Sequence, residues 1–275
     1  MTIKTILVHL ADDERHKTRL EVAMDLAHRY QAHVMALFIA TPVGTPAEIT
    51  GRGASLVQIS EATEIAREKA VSLETEFRER CKRDRVSGTW LVEEGDHLDL
   101  LGRHAHCADL AIVSQTDPEH LEDRLMLQFP DHLTLVAGCP VLVIPHAGEV
   151  GRLGRRVVIA WKSTSGAVRA IRGALPFLKE AEKVEILTVG DKGGVSVPAA
   201  EVAGFLARHR VKAEVHSESD GEGQIGKAIL AHGRAFGADL LVMGAYGHSR
   251  LRELILGGAT RHVMTHMTTP VLMSH

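Results

Sequence analysis

Cysteine is scarce in this chain: Cys81, Cys107 and Cys139 are the only three in 275 residues, and they are unevenly spaced. Such a set cannot supply a disulfide framework, and its absence points to a reducing, cytoplasmic setting. Excess charge is missing too. Lys and Arg number 32 against 35 Asp and Glu, a net charge of −3, so no basic face is expected for nucleic acid. Aromatics make up only 4%. No apolar run approaches the length of a membrane span, and the N-terminus lacks a charged-then-apolar signal pattern; Ile6–Leu10 is far too short for either. Nucleic acid and membrane are therefore excluded as expected partners. What is present is an ordinary 45% of hydrophobic residues over a length that suits two domains, each with its own core.

The chain repeats itself once. Ala108-Asp-Leu-Ala-Ile-Val-Ser114 returns 130 positions later as Ala238-Asp-Leu-Leu-Val-Met-Gly244, and Cys139-Pro-Val-Leu-Val-Ile144 returns at the same offset as Thr269-Pro-Val-Leu-Met-Ser274. The opening runs Thr5–Leu10 and Arg156–Trp161 match at an offset of 151, so the first copy holds extra residues, assigned to the loop from Thr41 to about Val57. Two copies imply two domains of one fold. The linker is Gly148-Glu-Val-Gly-Arg-Leu-Gly154, giving domains 1–148 and 149–275. It is short, so the two are expected to pack as a pseudo-dimer, with the equivalent strands Pro140–Ile144 and Pro270–Met273 able to pair.

Each copy alternates apolar runs with amphipathic stretches. In the first, strands are expected at Ile3–Leu10, His33–Ile39, Gly88–Glu93, Ala108–Ser114 and Val141–Ile144, with helices at Thr18–Tyr30, Ile59–Lys82 and His97–His106. In the second, strands fall at Arg156–Trp161, Lys183–Val189, Lys212–Ser217, Asp239–Met243 and Val271–Met273, with helices at Ser165–Leu178, Ala199–His209, Gln224–Phe236 and after Gly258. This order predicts an α/β fold: two tandem, open, parallel-sheet domains of Rossmann-like type, helices covering both faces. Ligands of such sheets bind beyond the carboxyl ends of the strands, where strand order reverses.

One segment sits at that edge. Gly244-Ala-Tyr-Gly247 follows the strand that ends at Met243, and Gly257-Gly258 precedes the helical run Ala259–Met264. Closely spaced glycines let backbone approach a ligand, and a glycine-rich turn entering a helix N-terminus offers free N–H groups and a positive dipole end, which suits phosphate. In the first copy the same positions are Ser114, Asp117, Leu127 and Gln128, and Thr260 becomes Pro130. The first copy keeps the scaffold and has lost every glycine of the site.

The pattern Gly244-x2-Gly247-x9-Gly257, the duplicated strand–helix order and the closing Pro-Val-Leu strands together resemble the universal stress protein family, over essentially the whole chain. That resemblance implies an adenine-nucleotide α-hydrolase-like fold that binds ATP or AMP, with or without Mg2+, and acts in stress response without strong catalysis. Carried onto this chain, Gly244 and Gly247 flank ribose and phosphates, and Met243 borders them. Gly257, Gly258 and Ala259 offer backbone N–H groups, and Val189 meets the adenine edge through its backbone. Two departures stand out. Gly258 replaces the family's usual Ser or Thr, with Thr260 close by as a substitute hydroxyl. Lys162 stands where the family usually carries Asp, and its counterpart in the first copy is Ala11.

Other residues support rival readings more weakly. His104, His106 and Cys107 diverge on a helix, and His262 and His266 lie one turn apart; surface or packing roles are expected for all of them, and no metal site. Arg250 or Arg252 could reach phosphate, Tyr246 could cover the pocket, and Trp161 is expected to pack rather than stack on a base. Cys107 and Cys139 are expected to be buried and inert. No catalytic residue is assigned: Ser163, Thr164 and Ser165 follow a strand, but nothing in the sequence brings a base to them. The alternatives to nucleotide binding in the C-terminal domain are a slow ATPase or adenylyl-transferring enzyme, and an interaction module whose site has decayed. A homodimer is compatible with either.

Overall fold

The computed structural model describes residues 2–41, 56–116, 129–190, 197–219, 224–245 and 258–275. Packing divides the chain into two compact units, Ile3–Cys139 and Pro140–His275, the second also taking residues 1–2.

The first unit runs β1 (Thr5–His9), α1 (His16–Tyr30), β2 (His33–Ile39), α2 (Leu56–Asp84), β3 (Gly88–Glu93), α3 (His97–Ala105), β4 (Leu110–Ser114) and α4 (Phe129–Val136). Its strands are ordered β3-β2-β1-β4, all parallel. The central strands are covered on both faces, which is why they are apolar almost without interruption: Ile6, Leu7 and Val8 are fully buried, as are Ala111 to Val113. Helix α4 was not anticipated in the sequence. It lies 130 positions before a helix of the second unit, so the repeat itself encodes it.

The second unit runs β5 (Val141–Ile144), β6 (Arg156–Ala160), α5 (Ser165–Glu180), β7 (Lys183–Val189), α6 (Ala199–Arg208), β8 (Glu214–Glu218), α7 (Ile225–Phe236), β9 (Leu240–Gly244), α8 (Ala259–His266) and β10 (Val271–Ser274). Its strand order is β5-β10-β9-β6-β7-β8. All pairings are parallel except β10 with β5, where Leu272 faces Leu142. The two Pro-Val-Leu strands therefore pair as expected. β5 belongs by repeat to the first copy and by packing to the sheet of the second unit.

The repeated Ala-Asp pair has a structural cause. The Asp109 carboxylate accepts the N–H groups of Lys4 (2.7 Å) and Thr5 (2.9 Å), fixing the start of β1 beside β4. Asp239 does the same for β6, accepting from Gly154 (2.7 Å), Arg155 and Arg156. Burial raises the Asp239 carboxyl, while these N–H groups pull it back down.

Candidate functional site

In the second unit the strand order reverses between β6 and β9, whose pairing sets Ala160 beside Met243. Trp161 and Lys162 therefore leave the sheet next to Gly244. The Trp161 N–H donates to Leu187 O (2.8 Å), which brings the end of β7 and Val189 into the same rim. Lys162 is exposed there. Lys162, Val189, Met243 and Gly244, far apart in sequence, thus meet at one carboxyl edge. Helix α8 begins after Gly258, whose φ of −59° and ψ of 162° mark the end of extended backbone and which, as glycine, has no side chain to cap the N-terminus. Its first N–H groups, including that of Ala259, have no intrahelical acceptor. Thr260 is buried, at 5% exposure. Gly247 and Gly257, together with Tyr246, His248, Ser249, Arg250 and Arg252, lie outside the described residues.

Helix α5 seats its N-terminus against this edge. Thr164 caps it, its hydroxyl accepting the N–H of Ala167 at 3.2 Å. A Cβ built on Gly244 would stand 2.5 Å from Ala167 N and 3.0 Å from Gly166 C, and one on Gly166 would stand 2.8 Å from Ser274 O. Two glycines thus let a helix start lie directly on the ends of β9 and β10, which brings its positive dipole end to the rim. Gly244 is accounted for by this packing, a role the sequence did not disclose.

The hydroxyl residues after β6 have structural partners. Ser163 Oγ accepts the Val197 N–H (3.1 Å), Thr164 is the cap, and Ser165 Oγ accepts from Arg169 (3.3 Å). Trp161 is 9% exposed and donates its indole N–H to Val197 O at 2.9 Å, the packing role expected of it.

The family model of the universal stress proteins matches residues 2–145 and 155–275. The chain belongs to the universal stress protein family. A universal stress protein from Archaeoglobus fulgidus shares the fold across 98% of this chain and 96% of its own, with a TM-score of 0.78 at 19% identity. A protein of unknown function from Pseudomonas aeruginosa PAO1 does so across 98% and 92%, with a TM-score of 0.64 at 15% identity. Universal stress protein Slr1230 of Synechocystis is 42% identical over 50 residues, which is 18% of this chain and 17% of that protein, so the match spans only a small part of the curated relative. The two matched segments make the chain a tandem member of the family, with two copies of its α/β fold.

The first copy treats the corresponding edge differently. Arg19, 2% exposed, lies across the ends of β1 and β4: its Nε donates to His9 O (2.7 Å), Nη1 to Ser114 Oγ (2.7 Å) and Nη2 to Asp13 Oδ2 (2.5 Å). Ser114 is the counterpart of Gly244. Arg19 corresponds to Ala170 at the offset of the opening strands, so the second copy has only a methyl where the first has a guanidinium. The reversal point of the first sheet is spanned by the protein's own cation.

Beside it, His9 and His97 meet edge to face, their ring centroids 5.7 Å apart. Burial holds the His9 imidazole well below its ordinary 6.5, reinforced by Arg19 and then by His97. Burial also lowers His97, against the raising effects of the Thr41 carbonyl and Asp96. Both rings are therefore neutral in the fold, while the unfolded chain takes up protons below pH 6.5. The unfolded state then holds more protons, so stability falls as pH drops below 6.5 and keeps falling until the lowered values are reached. The midpoint of urea unfolding should be lower at pH 5.5 than at pH 7.5, with a smaller difference in His9→Leu. An unchanged midpoint would refute this.

The other histidines and thiols separate cleanly. His104 Nε2 meets Glu93 Oε1 (2.6 Å) and His106 Nε2 meets Val136 O (2.9 Å), so these two share no ligand. His262 and His266 stack at 4.3 Å, and burial lowers His262, with His266 and Lys227 adding to the effect. Cys139 is held by burial at about 12, an inert thiol. Cys107 is exposed, contrary to expectation, because it falls in the turn between α3 and β4. One group went unforeseen: His216, Glu218 and His232 place ligand-type atoms within 4.8 Å of one another. Strand spacing could have paired His216 with Glu218, but only the tertiary fold brings His232 to them.

Proposed function

We propose that the second domain (149–275) binds one adenine nucleotide, ATP or AMP with or without Mg2+, and that the first (1–148) is a non-binding partner. The reading rests on one observation above all. At the point where strand order reverses, Lys162 and Gly244 stand together beside the N-terminus of α5, and α8, the next described helix after β9, begins after a glycine that has no side chain to cap it. Strand ends and helix starts of this kind receive phosphate. Gly247, Gly257, Gly258 and Ala259 complete the cradle through backbone N–H groups, Thr260 follows them, and Val189 takes the adenine edge. Lys162, a donor-only cation, pairs with phosphate where an aspartate would accept from ribose. Binding, without fast hydrolysis, is the activity.

Calorimetry with ATP, ADP and AMP, with and without Mg2+, tests this. One nucleotide should bind per chain, and Gly257→Val should weaken it by at least about 100-fold, because a side chain would fill the cradle. Asp117→Ala should leave affinity unchanged. The exposed Lys162 supports a second reading, an interaction module with a decayed site; absence of binding by any of the three nucleotides would select it.

A further inference from the structure

We propose that His216, Glu218 and His232 bind a divalent late-transition-metal ion, zinc foremost, with Glu185 positioning His232 from behind. The two strand residues are two apart on β8, so they share one face of the sheet. Parallel register sets Leu187 beside His216 and Val189 beside Glu218, so Glu185 lies on the matching face of β7, two and four residues before them. Helix α7 lowers His232 onto that face. The His216 and His232 rings lie 4.6 Å apart, and Phe236, one turn on, stacks on His232 at 6.5 Å and holds its orientation.

His232 Nδ1 is 2.7 Å from Glu218 Oε1, and Nε2 contacts Glu185 Oε1. A neutral imidazole carries a single N–H and cannot donate to both carboxylates. The nitrogen without the N–H faces its carboxylate as a lone pair, a contact that a metal ion can bridge. The arrangement suits the metal. Nε2–H donates to Glu185, which fixes the tautomer and turns the Nδ1 lone pair toward Glu218 and His216, as carboxylates behind metal-bound histidines do. His216 Nε2 is 3.7 Å from the same Glu218 Oε1. Ligand atoms about 2.0–2.2 Å from zinc lie roughly 3–3.5 Å from one another, so shifts below about 1 Å would close the site. Two imidazoles and one carboxylate are donors that zinc and its neighbours favour over calcium or magnesium. His232 and Glu185 are nearly enclosed, at 12% and 13% side-chain exposure, whereas His216 is 48% exposed, which leaves an entry path and room for water as a further ligand.

The test is zinc titration of the tag-free, full-length chain after chelation and dialysis, read by competition with a chromophoric chelator. Wild type should bind one Zn2+ per chain tightly. His232→Ala and Glu218→Gln should each weaken that site by at least about 100-fold, and Glu185→Gln by about 10- to 100-fold although it removes no ligand. Co2+ should give wild type a ligand-field absorption in the visible that Glu218→Gln lacks, with circular dichroism confirming that the variant is folded. The proposal is overturned if wild type binds no zinc, or if His232→Ala and Glu218→Gln retain its affinity and stoichiometry. Either result would make the cluster an ion-paired strut between β7, β8 and α7.

Discussion

Replacing Arg19 by alanine should destabilise the first unit by about 3–5 kcal/mol, lowering its melting temperature by roughly 10 °C. Three effects contribute. The His9 carbonyl, buried, and the Ser114 hydroxyl, half-buried, each lose a charged donor. The aliphatic stem leaves a cavity in a position that is 2% exposed. The ion pair with Asp13 adds less, because that carboxylate is 40% exposed and well screened. Arg19→Met separates these contributions: it keeps most of the volume, so it should recover the cavity part and none of the hydrogen bonding. Thermal unfolding of both variants provides the measurement. A loss under about 1 kcal/mol for the alanine variant would mean that neighbouring groups satisfy the two acceptors without the guanidinium.

Gly244→Val should be the most damaging single change in the second unit. The added atoms meet backbone, Ala167 N at 2.5 Å and Gly166 C at 3.0 Å, and nothing flexible stands between them. Either the α5 N-terminus lifts from the sheet or β9 shifts. Overpacking of this kind costs about 1–3 kcal/mol and more when backbone must move, so about 2 kcal/mol is expected for Gly244→Ala and a larger loss for valine. Urea unfolding in a Trp90→Phe background isolates the Trp161 signal and hence the second unit. If Gly244 were present for a ligand alone, Gly244→Ala would unfold at the wild-type midpoint and differ only in nucleotide binding. That outcome would remove packing as its cause.

The strand–helix order was legible because buried parallel strands are nearly continuous apolar runs, and because the repeat checks each element twice. Gly88–Glu93 and the start of α3 at His97 coincide with the sequence reading, and β10 differs from it by one residue. Helix α4 is too short for periodicity to mark it, and only its offset of 130 from Ala259–His266 encodes it. At the site, periodicity located Lys162, Val189 and Gly244 at strand ends, and the topology then joined them. What the sequence hid were side-chain matters. That Arg19 bridges two strand ends, or that His232 meets His216 and Glu218, depends on where a helix face lands, which no local pattern carries. Gly244 shows a different gap: a glycine for close packing and a glycine for a ligand look identical until the neighbouring backbone is in view.

The antiparallel pairing of β10 with β5 bears on how the chain can be divided. A fragment beginning at residue 149 would carry every helix of the second unit yet lack Val141–Ile144. β10, whose four residues are all buried, would then be the rim of the sheet, with a row of unpaired amide and carbonyl groups beside an apolar surface. Such a rim recruits whatever strand is nearest, a second fragment above all. Monomeric behaviour of the isolated C-terminal half therefore depends on a four-residue strand that its own repeat does not encode.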